Sequence, residues 1–118
     1  MITIKKFIFV LSVIASTAYA NGRLEECAKP NSWAASMAQT HLKNAGLLKN
    51  EEIDFAKTEV SLLASEKKDR VLYHQIQKIV FSKKNGGKIS AITENDASSE
   101  ECSMSNVKVY LLDRELGQ

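Results

Sequence analysis

The chain has 118 residues, a length that suits one domain with one buried core and is short for two. Its 16 Lys and Arg residues against 14 Asp and Glu residues give a formal net charge of +2. Two of the lysines, Lys5 and Lys6, belong to the export signal described next, so the exported chain has no net charge. This balance excludes an electrostatic basis for binding nucleic acid or anionic membranes, because both need clustered excess Lys and Arg.

Residues 1–20 have the pattern of a cleaved export signal. Lys5 and Lys6 form a short positive region, a mainly apolar stretch covers residues 7–17, and Ala18 and Ala20 supply the small side chains needed before a cleavage site. The apolar stretch is shorter than the roughly 20 residues of a membrane-spanning helix. We therefore expect cleavage after Ala20, a periplasmic or secreted product that is free of the membrane, and a single small domain over residues 21–118.

The exported chain has two cysteines, Cys27 and Cys102, one near each end. Thiols in export compartments oxidise, so the sequence predicts a disulfide between them. The alternative is a reactive thiol. That role requires an activated thiolate beside a histidine, and no histidine lies near either cysteine in the sequence.

A helix is predicted over residues 32–44, with Asn31 or Ser32 as its N-cap and Gly46 closing its carboxyl end. Apolar residues recur at three- and four-residue spacing and predict one buried stripe. Its members are Trp33, Ala34, Met37, Ala38, His41, Leu42 and Ala45.

Four strands are predicted after the helix, over residues 58–64, 71–82, 88–93 and 107–112. Asn85, Gly86 and Gly87 mark a hairpin turn between the second and third strands. The second strand has no cleanly apolar face, which indicates that its buried side changes at a bulge. The predicted fold class is α+β: an N-terminal helix packed on a four-stranded antiparallel β-meander, with one disulfide.

Two surfaces are candidates for binding. The first is the polar segment 95–105, whose candidate residues are Asp96, Ser98, Ser99, Glu100 and Glu101. Its carboxylates lack the spacing of a calcium-binding loop. In the alternative, structural interpretation, Ser98 and Glu101 form a capping box for a short turn that presents Cys102 to Cys27.

The second candidate surface is the uncovered face of the sheet, because a single helix covers only one face. Its candidate residues are Tyr73, Gln75, Gln77 and Tyr110, although the sequence leaves open which face each strand residue occupies. The alternative is that these are ordinary solvated strand residues.

The chain has two histidines, His41 and His74, and both are expected to pack in the core or at its rim. No ligand spacing typical of a metal site and no Gly-x-Ser-x-Gly nucleophile motif is present in the sequence. We therefore expect no catalytic residues, no metal and no cofactor.

Three classes of function remain. The first is a small exported, non-enzymatic binding or inhibitory module that docks another envelope or secreted protein through a sheet face, a sheet edge or the 95–105 loop. The second is a structural envelope homodimer that forms through sheet-edge pairing. The third and least favoured is a small hydrolase or thiol enzyme, which would need His41 or His74 beside a nucleophile in a pocket.

Overall fold

The computed structural model describes residues 24–113. The predicted export signal and its cleavage site after Ala20 lie outside the described residues and stay predictions. In chain order the elements are helix α1 (Trp33–Asn44), two short 3₁₀ helices (Asn50–Glu52 and Phe55–Lys57), and strands β1 (Glu59–Lys67), β2 (Tyr73–Ser82), β3 (Lys88–Ala97) and β4 (Lys108–Leu112).

The four strands form one antiparallel sheet in the order β1-β2-β3-β4. The predicted helix, four-stranded antiparallel meander and disulfide are thus confirmed. The position of α1 as the N-terminal element of the exported chain remains a prediction, because residues 1–23 are not described. No helix within residues 24–113 is both long and apolar enough to cross a membrane.

Strands β1 and β3 are each longer than predicted. β1 continues to Lys67 instead of ending at residue 64, and β3 continues to Ala97 instead of ending at residue 93. Three of the extra residues of β3, Glu94, Asn95 and Asp96, are polar, and all four have low strand propensity. Each nevertheless has a partner on β2, from Ala97 opposite Tyr73 to Glu94 opposite Ile76. Pairing with β2 therefore outweighs local propensity.

The predicted bulge in the second strand is wrong. β2 pairs with β3 through ten consecutive positions, and the irregularity lies in β1, between Leu62 and Ala64. The intervening Leu63 is an exposed extra residue. A bulge in an edge strand interrupts its pairing surface and discourages association with another strand.

Helix α1 ends in a Schellman motif. The Gly46 N–H donates to the Lys43 carbonyl at 3.0 Å and the Leu47 N–H donates to the Leu42 carbonyl at 2.9 Å. Gly46 has a φ of 76°, a left-handed conformation that glycine adopts without strain. Ser32 is the N-cap by position, but its side chain makes no capping hydrogen bond.

The main core lies between α1 and one face of the sheet. From the sheet it contains Ile79, Phe81 and Ala91, and Leu48 and Ile53 close it from the connection after the helix. The helix contributes small side chains together with Leu42, so its backbone lies close to the sheet. The residues that α1 buries are Ala34, Ala35, Ala38 and Leu42.

The predicted helix stripe is partly wrong. Trp33, His41 and Ala45 are exposed, whereas Ala35, outside the predicted stripe, is buried. The spacing of apolar residues predicted the buried face of the helix to within about one position. In the structure, the face that packs against the sheet also includes Ala35. Trp33 sits at the rim, where its indole N–H points at the Ser105 carbonyl 3.5 Å away.

A second, smaller core holds the disulfide. Cys27 and Cys102 are bonded, with their Cα atoms 5.3 Å apart, and Leu24 and Ala97 are buried beside them. Tyr73 packs against this cluster. The disulfide thus fastens the segment before α1 and the segment before β4 to the end of the sheet that α1 leaves uncovered.

Candidate functional site

The sheet has a covered face and an open face. Residues directly opposite each other in adjacent antiparallel strands share a face. No open-face side chain belongs to either buried cluster. On β2, β3 and β4 the open face consists of His74, Ile76, Lys78, Val80, Ser82, Lys88, Ser90, Ile92, Glu94, Asp96, Lys108, Tyr110 and Leu112.

Three of the four predicted sheet-face residues are on the wrong face. Tyr73, Gln75 and Gln77 lie on the covered face, and both glutamines are fully buried. Their side-chain amides donate to the carbonyls of the disulfide-bonded segment, Gln75 to Leu24 at 3.3 Å and Gln77 to Cys27 at 3.1 Å. Alternation along a strand predicts which residues share a face. It does not predict which of the two faces is covered by another segment of the chain. Tyr110 alone lies on the open face, and it is exposed.

The predicted 95–105 surface begins later than expected. Asp96 belongs to β3, and both Asp96 and Ser98 are largely buried, at 9% and 7% exposure. Ser99, Glu100 and Glu101 are exposed as predicted. We call residues 98–106 the disulfide loop.

Half of the predicted capping box is found in the disulfide loop. The Ser98 hydroxyl accepts hydrogen bonds from the Glu100 N–H at 3.2 Å and the Glu101 N–H at 3.0 Å. The Glu101 carboxylate does not return to Ser98 but accepts from the Ser103 hydroxyl at 3.0 Å. The turn that leads to Cys102 is therefore built by Ser98 alone.

A cleft opens where the disulfide loop meets the β1–β2 turn, at the end of the sheet away from the β2–β3 hairpin. Its volume is about 320 Å³. Val71 of the turn and Met104 of the loop both line this concave surface. Val71 is 60% exposed and Met104 is 40% exposed. We call this surface the distal cleft. Its lining residues are Val71, Ser98, Ser99, Glu100, Glu101 and Met104.

A charged cluster lies on the open face below the cleft and consists of Lys68, His74, Glu94 and Asp96, which we call the His74 cluster. His74 Nδ1 is 2.9 Å from Asp96 Oδ1, and His74 Nε2 is 3.4 Å from Glu94 Oε2. Only a protonated imidazole donates from both nitrogens. The Lys68 ammonium donates to Asp96 Oδ2 at 2.8 Å, which links the β1–β2 turn to β3.

Charged and polar neighbours complete the surroundings of the cluster. The Tyr110 hydroxyl donates to Glu94 Oε1 at 3.1 Å, and Lys108 Nζ lies 3.7 Å from the same oxygen. On β1, Glu66 stands opposite His74 in the sheet register. His74 is thus placed among carboxylates on both neighbouring strands.

These contacts shift the pKa values within the cluster. The hydrogen bond to Asp96 raises the pKa of His74 above its ordinary 6.5, and the bond to Glu94 adds to the effect. The hydrogen bond from Lys68, followed by that from His74, lowers the pKa of Asp96. The pKa of Glu94 is lowered by His74 and then by Tyr110. The cluster therefore favours the fully charged state of all its members.

Asp96 also fixes the base of the disulfide loop through its backbone. Its N–H donates to the Ser105 hydroxyl at 2.8 Å, and its carbonyl accepts from the Met104 N–H at 3.2 Å. The Asn95 side chain donates to the Cys102 carbonyl at 3.1 Å. Together with the disulfide, these bonds hold one wall of the distal cleft in place.

The other wall is the β1–β2 turn, and it is also internally bonded. The Asp69 carboxylate accepts from the N–H groups of Val71 at 3.0 Å and Leu72 at 3.1 Å. Side chains that lie on bonded turns lose less conformational entropy when a partner binds. The distal cleft is thus a preorganised surface.

The His74 cluster lacks the arrangement of a catalytic triad. Both ring nitrogens of His74 face carboxylates, and the nearby Ser105 hydroxyl donates to the Asn106 carbonyl at 2.9 Å. Both cysteines are in the disulfide. His41 is exposed on α1, which corrects the prediction of a core or rim position. Within residues 24–113, no group of three or more His, Cys, Asp or Glu side chains could hold a metal ion.

Sequence reasoning missed the His74 cluster, although the hairpin contained the signal. With Ser82 opposite Lys88 across the Asn-Gly-Gly turn, counting back along both strands brings His74 opposite Asp96. The polar character of residues 94–96 suggested a loop and ended the predicted strand too early.

Comparisons of the chain with models of known protein families, with curated proteins and with solved structures found no match.

Proposed function

We propose that this chain is an exported, non-enzymatic binding or inhibitory module that holds a segment of another envelope or secreted protein in the distal cleft. The observation that carries the proposal is the pair of exposed apolar side chains, Val71 and Met104, on two separately fixed walls of one concavity. The export signal predicted at residues 1–20 supports a periplasmic location. The disulfide is consistent with an oxidising compartment.

Exposed apolar side chains are common singly, but two in one concave surface are typical of an interaction site. Met104 suits such a site because its unbranched thioether side chain adapts to the shape of a partner. The wall residues are held by the disulfide, by Ser98 and by the backbone of Asp96, so the cleft exists before a partner arrives. Preorganisation of this kind favours binding because ordering costs are already met.

The two alternative functions have less support. Homodimer formation by edge pairing is best served by a long, regular edge strand, whereas β1 has a bulge and ends in Glu66 and Lys67, and β4 has five residues. A hydrolase of this kind needs a nucleophilic side chain within hydrogen-bond distance of its histidine. In this protein both ring nitrogens of His74 are hydrogen-bonded to the carboxylates of Asp96 and Glu94.

Site-specific photo-crosslinking in source cells tests the proposal. A photoreactive amino acid replaces Val71 or Met104 in the full chain, and Leu47, exposed just after the end of α1, is the matched control position. We expect one discrete adduct in the envelope fraction from both cleft positions and none from the control. Purified unlabelled protein should compete the adduct away, whereas a Val71→Asp/Met104→Asp variant should not.

Two results would contradict the proposal. One is the absence of a cleft adduct when the labelled proteins are exported and folded, as judged by their disulfide and circular dichroism. The other is the same set of adducts from Leu47 as from Val71 and Met104, which indicates nonspecific contact.

A further inference from the structure

The turn between β2 and β3 contains an exposed Asn-Gly pair, Asn85 and Gly86, that has no part in the proposed function. An asparagine before a glycine is chemically labile, because the glycine nitrogen attacks the side-chain carbonyl carbon with no Cβ in the way. The tip of this turn is also open, since a Cβ added at Gly86 would meet nothing within 4 Å. The surroundings of the pair therefore leave room for ring closure between the two residues.

A hydrogen bond within the turn favours this attack. The Gly87 N–H donates to Asn85 Oδ1 at 2.8 Å. Attack on Asn85 Cγ places negative charge on that oxygen, and a donor that is in position beforehand stabilises the charge, as in an oxyanion hole. The turn thus holds the asparagine side chain in a polarised state.

A second hydrogen bond opposes the attack. The Gly86 N–H donates to the Lys83 carbonyl at 2.9 Å, and this nitrogen must leave that bond before it loses its proton and attacks. Residues 84–88 are all exposed, and exposed turns open locally at a small cost in free energy. The reaction therefore proceeds from the opened turn, at a rate that depends on how often the turn opens.

We propose that Asn85 is a site of spontaneous deamidation in the folded protein, with water as the co-reactant. The Gly86 nitrogen gives its proton to solvent and forms a bond to Asn85 Cγ. The Cγ–Nδ2 bond then breaks, and Nδ2 takes up a proton and leaves as ammonia. Water opens the resulting five-membered succinimide ring. Addition at Cγ gives aspartate, and addition at the backbone carbonyl carbon gives isoaspartate, so that either product replaces a neutral amide with a carboxylate.

The structure indicates different consequences for the two products. Aspartate retains an oxygen that accepts from the Gly87 N–H, and an ionised acceptor forms the stronger hydrogen bond. Isoaspartate adds one methylene to the main chain between Lys83 and Gly87, whose N–H and carbonyl groups are hydrogen-bonded at 2.7 Å. The longer main chain does not fit this closed turn. We therefore expect the aspartate form to keep the hairpin turn and the isoaspartate form to lose it.

Peptide mapping by mass spectrometry tests the proposal. The exported, disulfide-bonded protein is incubated in its folded state at mildly alkaline pH, and the peptide that contains Asn85 should gain about 1 Da as the amide becomes a carboxylate. Three exposed asparagines followed by a residue with a Cβ are built-in controls and should stay unchanged over the same time. They are Asn31, Asn44 and Asn50. Asn85→Gln, which keeps an amide but lengthens the side chain, should show no gain.

Incubation in urea tests the requirement for turn opening. The unfolded chain should convert at Asn85 faster than the folded protein, because the bond between Gly86 and Lys83 is absent there. Absence of any gain in the folded protein, over a time in which the unfolded chain converts completely, would overturn the proposal. Equal gains at Asn31, Asn44 and Asn50 would also overturn it, because the following glycine would then have no influence. The turn lies at the other end of the sheet from the distal cleft, so neither result bears on cleft crosslinking.

Discussion

Replacement of both bonded cysteines, Cys27→Ala/Cys102→Ala, should destabilise the protein strongly. The cysteines are 75 residues apart in sequence. In the loop-entropy treatment, a crosslink of this span lowers the entropy of the unfolded chain by about 15 cal/mol/K, which corresponds to about 4.5 kcal/mol at 25 °C. A domain of this size has a total stability of about 5–15 kcal/mol. The variant should therefore be marginally folded.

The two separate cores indicate which region of the protein loses stability first when the disulfide is removed. Cys27 and Cys102 belong to the small core with Leu24 and Ala97, whereas the residues that α1 buries pack in the other core. We expect hydrogen exchange under native conditions to increase most at residues 24–28 and 98–106 and least in α1.

Urea denaturation followed by circular dichroism measures the total effect. With a slope of about 1.5 kcal/mol/M, the midpoint should fall by about 3 M. Reductant should lower the midpoint of the wild-type protein and leave the variant unchanged. A loss of less than about 1 kcal/mol, or exchange that increases in α1 before residues 24–28, would contradict this prediction.

Three further substitutions test the core, the His74 cluster and the helix end, and urea denaturation measures each. Phe81→Ala should cost about 3–5 kcal/mol because Phe81 is 2% exposed, whereas Phe55→Ala, at 56% exposure, should cost less than about 1 kcal/mol; equal losses would contradict the assigned core. Because the pKa of His74 is raised, its stabilisation is complete below about pH 6.5 and is lost as the pH rises through the folded pKa. The free energy of unfolding should therefore fall as the pH rises above about 6.5, both in the wild type and in the control His41→Gln, whose substituted side chain is exposed. The fall should be less steep in His74→Gln. An equal slope in His74→Gln would show that protonation of His74 does not stabilise the fold. Gly46→Ala should cost about 1 kcal/mol through backbone strain alone, since its φ is 76° and an added Cβ meets nothing within 4 Å; no measurable loss would argue against the left-handed cap.

Local chemistry explains the successful predictions. Gly46 ends the helix and the Asn85-Gly86-Gly87 turn lies between β2 and β3, because both places need a backbone conformation that glycine adopts readily. The disulfide was predicted from two cysteines in a chain with a predicted export signal. Such features depend on a few neighbouring residues, or on the number of thiols, and not on the packing of distant segments.

Burial of the sheet faces could not be predicted in the same way. Gln75 and Gln77 have the polarity of surface residues, yet the segment 24–27 covers them and its carbonyls accept their amide hydrogens. Nothing in the sequence around β2 indicates that a segment 50 residues earlier in the chain lies over it. The disulfide between Cys27 and Cys102 holds that segment in position.

The element types, the hairpin, the helix end and the disulfide could be predicted from residue type and spacing, because they depend on local backbone preference and on thiol pairing. The open sheet face, the burial of Asp96 and Ser98, and the cleft that Val71 and Met104 share could be found only in the folded chain. These features arise from pairing between segments that are distant in sequence. That pairing extended β3 through polar residues, brought His74 beside Asp96 and placed two distant turns side by side.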